Sequence, residues 1–420
     1  MIKRFDTGAL DRRTFVKVTA AAGLAQFAAP AIIAARGDTP IKIGMVDPLT
    51  GVYAAVAQNE VTGAKLALDQ INGKGGILGR QVELLVEDSA NDVGTGVQKT
   101  SKLIERDEVN FIIGDVNSAI AQAMAQVTAE KKVLHIVAGG HTDGITGKDC
   151  KWNVYRVCNT TRMEANSVSD ILFNKYGKKW HFITPDYSFG HTLQEACADN
   201  LKKLGGTVTG NELTPVGTSD FSAYLIKARA ANPDLLIRLV QGSDMVNCLK
   251  QIVQFGIDKQ IHVAGTQQEL ESVLALPPEA RIGAWMFEWY WKQPNTPHVA
   301  DFVAEIRKRT GGKVPTARTW FGFTSTQTLA LVANREKTLD GRKLAQALGD
   351  FELPDEVKLQ PNKVYYRKGD HQLMTSAFIG AAQSKGTDDP EDLFRVDQIE
   401  PGDNTAPPVS ETGCTMQFPA

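Results

Sequence analysis

The sequence has little of what marks a membrane protein, a nucleic-acid-binding protein or a disulfide-rich protein. No interior apolar run approaches the roughly 20 residues that a membrane helix needs. Lys and Arg total 46 against 48 Asp and Glu, so the net charge of −2 gives no electrostatic case for a nucleic acid or an anionic membrane as partner. The five cysteines form no CxxC pair and no zinc spacing. A chain of 420 residues without these features is expected to fold as two or more ordinary globular domains.

The sequence also lacks the familiar catalytic and phosphate-binding motifs. It has no GxSxG, no HExxH and no GxGxxG, and Gly147-Lys148 is followed by Asp149 rather than by Ser or Thr. His135 and His181 lie within apolar segments, where a hydrogen-bonded structural histidine is the simpler interpretation. Five aspartates, at positions 88, 92, 115, 143 and 186, follow no fixed spacing and fit turns and helix caps. We therefore expect no enzymatic activity, no metal and no cofactor.

The N-terminal segment is predicted to be an export signal that covers residues 1–36. Asp11 to Lys17 reads DRRTFVK and precedes an alanine-rich, weakly apolar run, which resembles a twin-arginine signal peptide. Cleavage fits either Ala29-Pro30-Ala31 or a position nearer Ala35. A basic N-terminal helix on a cytosolic protein is the alternative, but the arginine pair, the aromatic residue and the alanine run together favour export. We expect a periplasmic, oxidising environment in which some cysteines pair.

The mature chain alternates short apolar strands with amphipathic helices. The first strand, Ile41 to Asp47, ends at Pro48 and continues into a loop of small residues, and the next helix is predicted to begin near Asn59. The same strand–loop–helix order repeats along a first half and again along a second half, which predicts two α/β halves with parallel sheets. Glu356 to Tyr366 and His371 to Ile379 are predicted to form a hairpin. Ligands of such sheets bind at the carboxyl ends of the strands.

Three segments of the chain together resemble the leucine/isoleucine/valine-binding proteins of ABC transporters. They are LTGVYAA followed by GKGGILGRQVELLVEDSAND, WHFITPDYSFGHTLQEACADNLKKLGGTVTG followed by TSDFSAYLIKARAANPDLLI, and GDHQLMTSAFIG. The resemblance covers residues 40 to 380. It implies a type I periplasmic-binding-protein fold, with two Rossmann-like lobes, parallel central sheets, three hinge crossings and a ligand cleft between the lobes.

The resemblance also implies how the chain is divided. Residues 37–156 and 288–354 are expected to form the N-terminal lobe, and residues 157–287 and 355–381 the C-terminal lobe. Residues 382–420, rich in Asp, Pro, Gly and Ser, are expected to be an irregular tail. Cys414 in this tail is a candidate for a disulfide to the second lobe, with Cys150 or Cys158 as the most plausible partner.

The resemblance implies a ligand site at the ends of several strands. A loop hydroxyl and backbone N–H groups of the family hold a ligand carboxylate, and the matching positions follow the third and fourth strands. Histidine stands at position 141, where the family commonly has threonine. Aromatic residues after the first strand of the second half are expected to form a cleft wall. The expected ligand-binding residues are Tyr53, Val56, Ser118, Gly139, Gly140, His141, Tyr187, Phe189, Gln241 and Gln267.

Two departures from the family pattern leave the ligand open. Gln267 stands where amino-acid-binding members commonly have an acidic residue for the ammonium group, although Glu269 could substitute if the loop shifts. Val56 stands where a large aromatic is common, which would leave more room. A branched-chain amino acid is therefore one expectation, and an amine-free aromatic carboxylate or a small amide is another.

The expected function is the capture of a small carboxylate-bearing ligand and its delivery to a membrane permease, by a monomer with no nucleic-acid partner. A ligand-sensing receptor with the same fold, and an enzyme on the same scaffold, are the alternatives of other classes.

Overall fold

The computed structural model describes residues 39–293 and 295–419, so the predicted signal peptide lies outside the described residues. The first sheet contains five parallel strands in the order β2-β1-β3-β4-β5. The strands are β1 (Ile41–Asp47), β2 (Val82–Asp88), β3 (Phe111–Gly114), β4 (Leu134–Val137) and β5 (Val154–Arg156). The helices between them are α1 (Ala54–Gly73), α2 (Val93–Glu105) and α3 (Ser118–Glu130).

The second sheet contains seven strands, five from the central part of the chain and two from its C-terminal part. The central elements are α4 (Thr161–Tyr176), β6 (Lys179–Pro185), α5 (Ser188–Lys203), β7 (Thr207–Thr214), α6 (Ser222–Ala230), β8 (Leu235–Arg238), α7 (Gly242–Gln254), β9 (His262–Gln267), α8 (Leu270–Leu274) and β10 (Ala284–Phe287). These five strands are mutually parallel. β7 was not predicted from the sequence. Its side chains alternate only weakly between buried and exposed positions, and several of them are exposed, so the segment lacks the apolar pattern of a buried strand.

The remaining chain returns to both sheets. Its elements are α9 (Val299–Thr310), α10 (Ala317–Glu336), α11 (Gly341–Leu348), α12 (Asp355–Lys358), β11 (Tyr365–Tyr366), β12 (Leu373–Met374), β13 (Ala377–Ala382), β14 (Phe394–Glu400), α13 (Gly402–Thr405) and α14 (Val409–Thr412). β13 and β14 extend the second sheet as antiparallel strands, in the order β14-β13-β10-β9-β8-β6-β7. None of the described helices is long and apolar enough to span a bilayer.

The first lobe consists of the first sheet and the helices that cover it, and α1 and α10 pack closely within it. A Cβ atom at Gly63 would lie 1.8 Å from the carbonyl oxygen of Thr319, and one at Gly322 would lie 1.9 Å from that of Glu60. Only glycine permits this approach of the two helix backbones. The contact fixes Glu60 of α1 beside the first turn of α10, at the edge where the strands end.

The structure corrects several predictions. The first helix begins at Ala54 rather than near Asn59. Only residues 365–366 and 373–374 pair in the predicted hairpin. Val357, Val364 and Tyr366 pack in the core of the first sheet, so the chain joins the second sheet only at Ala377 and not at residue 355.

The tail predicted to be irregular contains β14, which pairs along β13. Phe394 buries its ring against Phe287 of β10, and this apolar contact stabilises a strand in a polar segment. Cys414 pairs with Cys150, which follows β4 of the first lobe, so the disulfide joins the tail to the first lobe and not to the second. Cys158, Cys197 and Cys248 are free and buried.

Candidate ligand-binding cleft

A narrow cavity of about 10 Å³ lies between the carboxyl ends of the two sheets. Eight of the ten predicted site residues line it: Tyr53, Ser118, Gly139, His141, Tyr187, Phe189, Gln241 and Gln267. Val116, Glu269 and Arg318 complete the lining. The other two predicted residues, Val56 and Gly140, do not line the cavity. Val56 packs with Ala57 and Val116, and a Cβ at Gly140 would face the side chains of Ala121 and Ile145 rather than the cavity.

Ser118 is positioned by the start of α3. Asn117 caps this helix by accepting hydrogen bonds from the N–H groups of Ala119 and Ile120, so Ser118 is the first helical residue and not the cap. The Ser118 hydroxyl oxygen accepts a hydrogen bond from the N–H of Thr142 over 3.1 Å. This bond ties α3 to the turn after β4, and it leaves the Ser118 hydroxyl hydrogen able to donate into the cavity.

Aromatic residues from both lobes meet over the cavity. The hydroxyl groups of Tyr53, before α1, and Tyr187, before α5, are 3.0 Å apart. Beside them, the N–H of Ser243 donates to the carbonyl of Val52 over 3.2 Å. Gly242 has φ +61° and its Cβ would lie 2.5 Å from that same carbonyl, so a side chain would separate the loops. These contacts join the two lobes beside the cavity.

Arg318 forms an ion-pair network that spans the two lobes. It donates from Nη1 to Glu60 over 2.9 Å and from Nη2 and Nε to Oε1 of Glu269 over 2.6 and 3.1 Å. Glu60 and Arg318 belong to helices of the first lobe, and Glu269 follows β9 of the second. Arg318 Nη1 also donates to the carbonyl of Gly139 over 3.3 Å. A Cβ at Gly139 would lie 2.1 Å from Nη1, so glycine is required for this approach.

The network carries more negative than positive charge. Burial raises the pKa of Glu60 to about 7, although Arg318 opposes this rise. Burial alone would lower the pKa of Arg318, but Glu269 and Glu60 raise it well above its usual value, so the guanidinium stays charged. Oε2 of Glu269 is buried and has no hydrogen-bond partner among the described residues. The cavity wall therefore presents a carboxylate oxygen that an incoming donor can satisfy.

His141 lies beside two further buried carboxylates. Its Nδ1 is 3.5 Å from Oε1 of Glu164 on α4, and its Nε2 is 3.2 Å from Oε1 of Glu288 after β10. Burial is the main cause of every shift in this group: it raises the pKa of Glu164 well above its usual value, raises that of Glu288 to about 7, and lowers that of His141 well below its usual value. The rings of Phe189 and Phe321 enclose the imidazole edge-on, with centroids 6.0 and 6.3 Å away.

Sequence reasoning missed Arg318, Glu164 and Glu288. A signal for Arg318 was present, because it lies within TARTWFGFTSTQ, and the helix that contains this segment has buried residues on all of its faces. An arginine in such a helix must be paired, since an isolated buried charge is very costly. Glu164 and Glu288 had no comparable signal.

Comparison with known proteins identifies the group to which the chain belongs. Residues 40–387 match the model of a family described as "Periplasmic binding protein". The chain belongs to this family. A Leu/Ile/Val-binding protein homolog 2 of Brucella abortus (strain 2308) is 27% identical over 363 residues, which cover 81% of this chain and 94% of the relative. Members of the family are periplasmic binding proteins that work with ABC-transporter permeases, not enzymes.

Solved structures agree with this assignment. A periplasmic binding protein from Burkholderia mallei superposes with a TM-score of 0.83 and 26% identity, covering 89% of this chain and 98% of its own. A solute-binding protein from Rhodopseudomonas palustris BisB5, solved in complex with 3,4-dihydroxy benzoic acid, superposes with a TM-score of 0.76 at 20% identity, over 85% of this chain and 96% of its own. The second likeness concerns the fold alone. The expected type I periplasmic-binding-protein fold is confirmed.

Proposed function

We propose that this protein captures an α-amino acid with an apolar side chain, such as leucine or valine, for an ABC importer. The observation that carries the proposal is the unpaired, buried Oε2 of Glu269 in the cavity wall. An ammonium group is the natural partner of such an oxygen, because a charge-assisted hydrogen bond satisfies both groups. The Brucella relative that covers most of this chain is named for leucine, isoleucine and valine.

The first-lobe side of the cavity suits a carboxylate. The Ser118 hydroxyl can donate a hydrogen bond, and the Gly139–His141 turn presents its backbone at the end of β4. The positive charge of Arg318 lies beside the same turn. A zwitterion placed between this turn and Glu269 would have each of its charged groups opposite a complementary one.

The rest of the lining suits an apolar side chain, because Val116, Tyr53, Tyr187 and Phe189 supply apolar surface to the cavity wall. Tyr53 supplies an aromatic first-lobe wall in place of the aromatic that is absent at Val56. Both Gln267 and Glu269 line the cavity, so an acidic residue is present beside the neutral glutamine. Both arguments against an amino acid are thereby weakened.

An amine-free aromatic acid is the second candidate ligand. Tyr53, Tyr187 and Phe189 bring three rings to one cavity, and a flat aromatic acid could stack among them. The Rhodopseudomonas palustris protein shares the fold and was solved with such an acid. This candidate leaves Oε2 of Glu269 without a hydrogen-bond donor, and we therefore rank it second.

A thermal-shift screen of the mature protein tests the proposal. Leucine, isoleucine and valine form one panel, and benzoate, 3,4-dihydroxybenzoate and 4-methylpentanoate form the other. A ligand that binds only the folded state raises the free energy of unfolding by about 3 kcal/mol at one hundred times its Kd, and the melting temperature rises as a result. We expect shifts with the first panel. Shifts with the aromatic acids alone would refute the amino-acid proposal and support the second candidate.

Export by the twin-arginine route and action as a monomer are further parts of the proposal. Replacement of Arg12 and Arg13 by lysine should retain the precursor in the cytoplasm, as seen by fractionation and immunoblotting. Normal export of that variant would contradict the route.

A further inference from the structure

Three buried side chains converge beside the cavity without forming hydrogen bonds to one another. One atom from each of His141, Glu164 and Glu288 lies within 4.8 Å of the corresponding atoms of the other two. Each of these residues is at most 2% exposed. Among the residues that the structure describes, both imidazole nitrogens, Oε1 of Glu164 and Oε1 of Glu288 have no hydrogen-bond partner, because their close contacts are not aligned as hydrogen bonds. Buried polar atoms of native proteins are rarely left in this condition.

The second oxygen of each carboxylate is anchored by the protein. Oε2 of Glu164 accepts a hydrogen bond from the Thr266 hydroxyl over 3.0 Å, and Oε2 of Glu288 accepts one from the N–H of Asn159. These bonds orient both carboxylates, so that each directs its remaining oxygen toward the histidine. Ligands of protein metal sites are commonly oriented by such outer hydrogen bonds.

We propose that His141, Glu164 and Glu288 bind one divalent transition-metal ion, and that Zn²⁺ is the best match to this donor set. One imidazole nitrogen and two carboxylate oxygens are ligands that Zn²⁺ accepts at about 2.0–2.2 Å. Ligand atoms at these distances from one ion lie roughly 3–4 Å apart, so the most widely separated atoms of the group, within 4.8 Å of one another, must approach by about 1 Å when the ion binds. His141 lines the cavity, so the ion would lie in the cavity wall. The proposal does not depend on the identity of the solute.

Metal titration of the exported, purified protein tests this site. After dialysis against EDTA, calorimetry with Zn²⁺ should show one ion bound per chain, and Ca²⁺ at the same concentration should bind at least tenfold more weakly. Glu164→Gln and Glu288→Gln should each weaken Zn²⁺ binding at least tenfold. Glu271→Gln is the matched control, because Glu271 is a partly buried glutamate outside the group, and it should bind Zn²⁺ like the wild type.

Two results would overturn the proposal. One is the absence of stoichiometric Zn²⁺ binding by the wild type, and the other is equal binding by all three variants, which would indicate adventitious surface sites. If a variant fails to fold, as judged by circular dichroism before metal is added, wild-type crystals soaked with Zn²⁺ decide the matter. Anomalous scattering at the zinc edge should then place one peak among the three side chains, and its absence would refute the site.

Discussion

Replacement of Glu269 by glutamine should weaken the binding of an amino acid much more than that of its amine-free analogue. Glutamine keeps the shape and an oxygen acceptor toward Arg318, but it removes the negative charge that faces the cavity. A hydrogen bond to a charged group contributes about 1.5–3 kcal/mol. At 1.4 kcal/mol for each factor of ten, the Kd for leucine should rise roughly 10- to 100-fold.

The change also weakens closure of the lobes, because Arg318 donates to Glu269 across the cleft. Closure affects every ligand alike. The wild type and Glu269→Gln are therefore each titrated calorimetrically with leucine and with 4-methylpentanoate, which is leucine without its amine. The four Kd values form a thermodynamic cycle. The loss that is specific to leucine measures the contact between the ammonium group and Glu269, free of the closure effect.

Each outcome of this cycle has a distinct meaning. An equal loss for both ligands would refute the ammonium contact and assign Glu269 to closure alone. An unchanged Kd for leucine would refute any role of Glu269 in recognition. If neither ligand binds the wild type, the proposed solute class is wrong. Glu271→Gln, two residues further along the chain and outside the cavity lining, should leave all of these constants unchanged.

Three further changes test other contacts of the structure. Tyr53→Phe should raise the ligand Kd about three- to tenfold, because it removes a neutral hydrogen bond to Tyr187 across the cleft, and calorimetry should show no additional loss when Tyr187→Phe is combined with it. Cys414→Ser should lower the melting temperature and abolish its sensitivity to reductant, since the bond to Cys150 closes a loop of 264 residues whose entropy is worth up to about 5 kcal/mol; equal reductant sensitivity in wild type and variant would contradict this pairing. Burial, aided by nearby negative charge, raises the pKa of Glu271 to about 7 from 4.5, so the folded protein holds a proton that the unfolded chain releases between those pH values. The wild type should therefore lose up to about 3 kcal/mol relative to Glu271→Gln as the pH rises through this window, and pH-dependent denaturant melts that run parallel would refute the shift.

Local pattern predicted the site at the level of loops but not of all its side chains. Ser118, Gly139 and Tyr187 follow strands whose apolar runs are unmistakable, and the carboxyl ends of parallel strands meet at one edge. Gln267 was preferred to Glu269 as the residue opposite the ligand. Side chains two positions apart in extended backbone point to the same side, and Glu269 is extended, so both reach the cavity.

The order of most strands and helices, the parallel core of each sheet and the loops that face the cleft follow from the sequence by itself, because hydrophobic periodicity is a local property of the chain. The exceptions are β7 and β14, whose segments are largely exposed or polar. The pairing of Arg318 with Glu60 and Glu269 was decided only by the tertiary structure. So was the meeting of His141, Glu164 and Glu288. The members of each group lie far apart in the chain on elements of different lobes, and their contact depends on how closely helices such as α1 and α10 pack and on how the lobes close. Hydrophobic periodicity does not predict the distances between these elements, because side-chain volumes and the glycines at the points of contact set them.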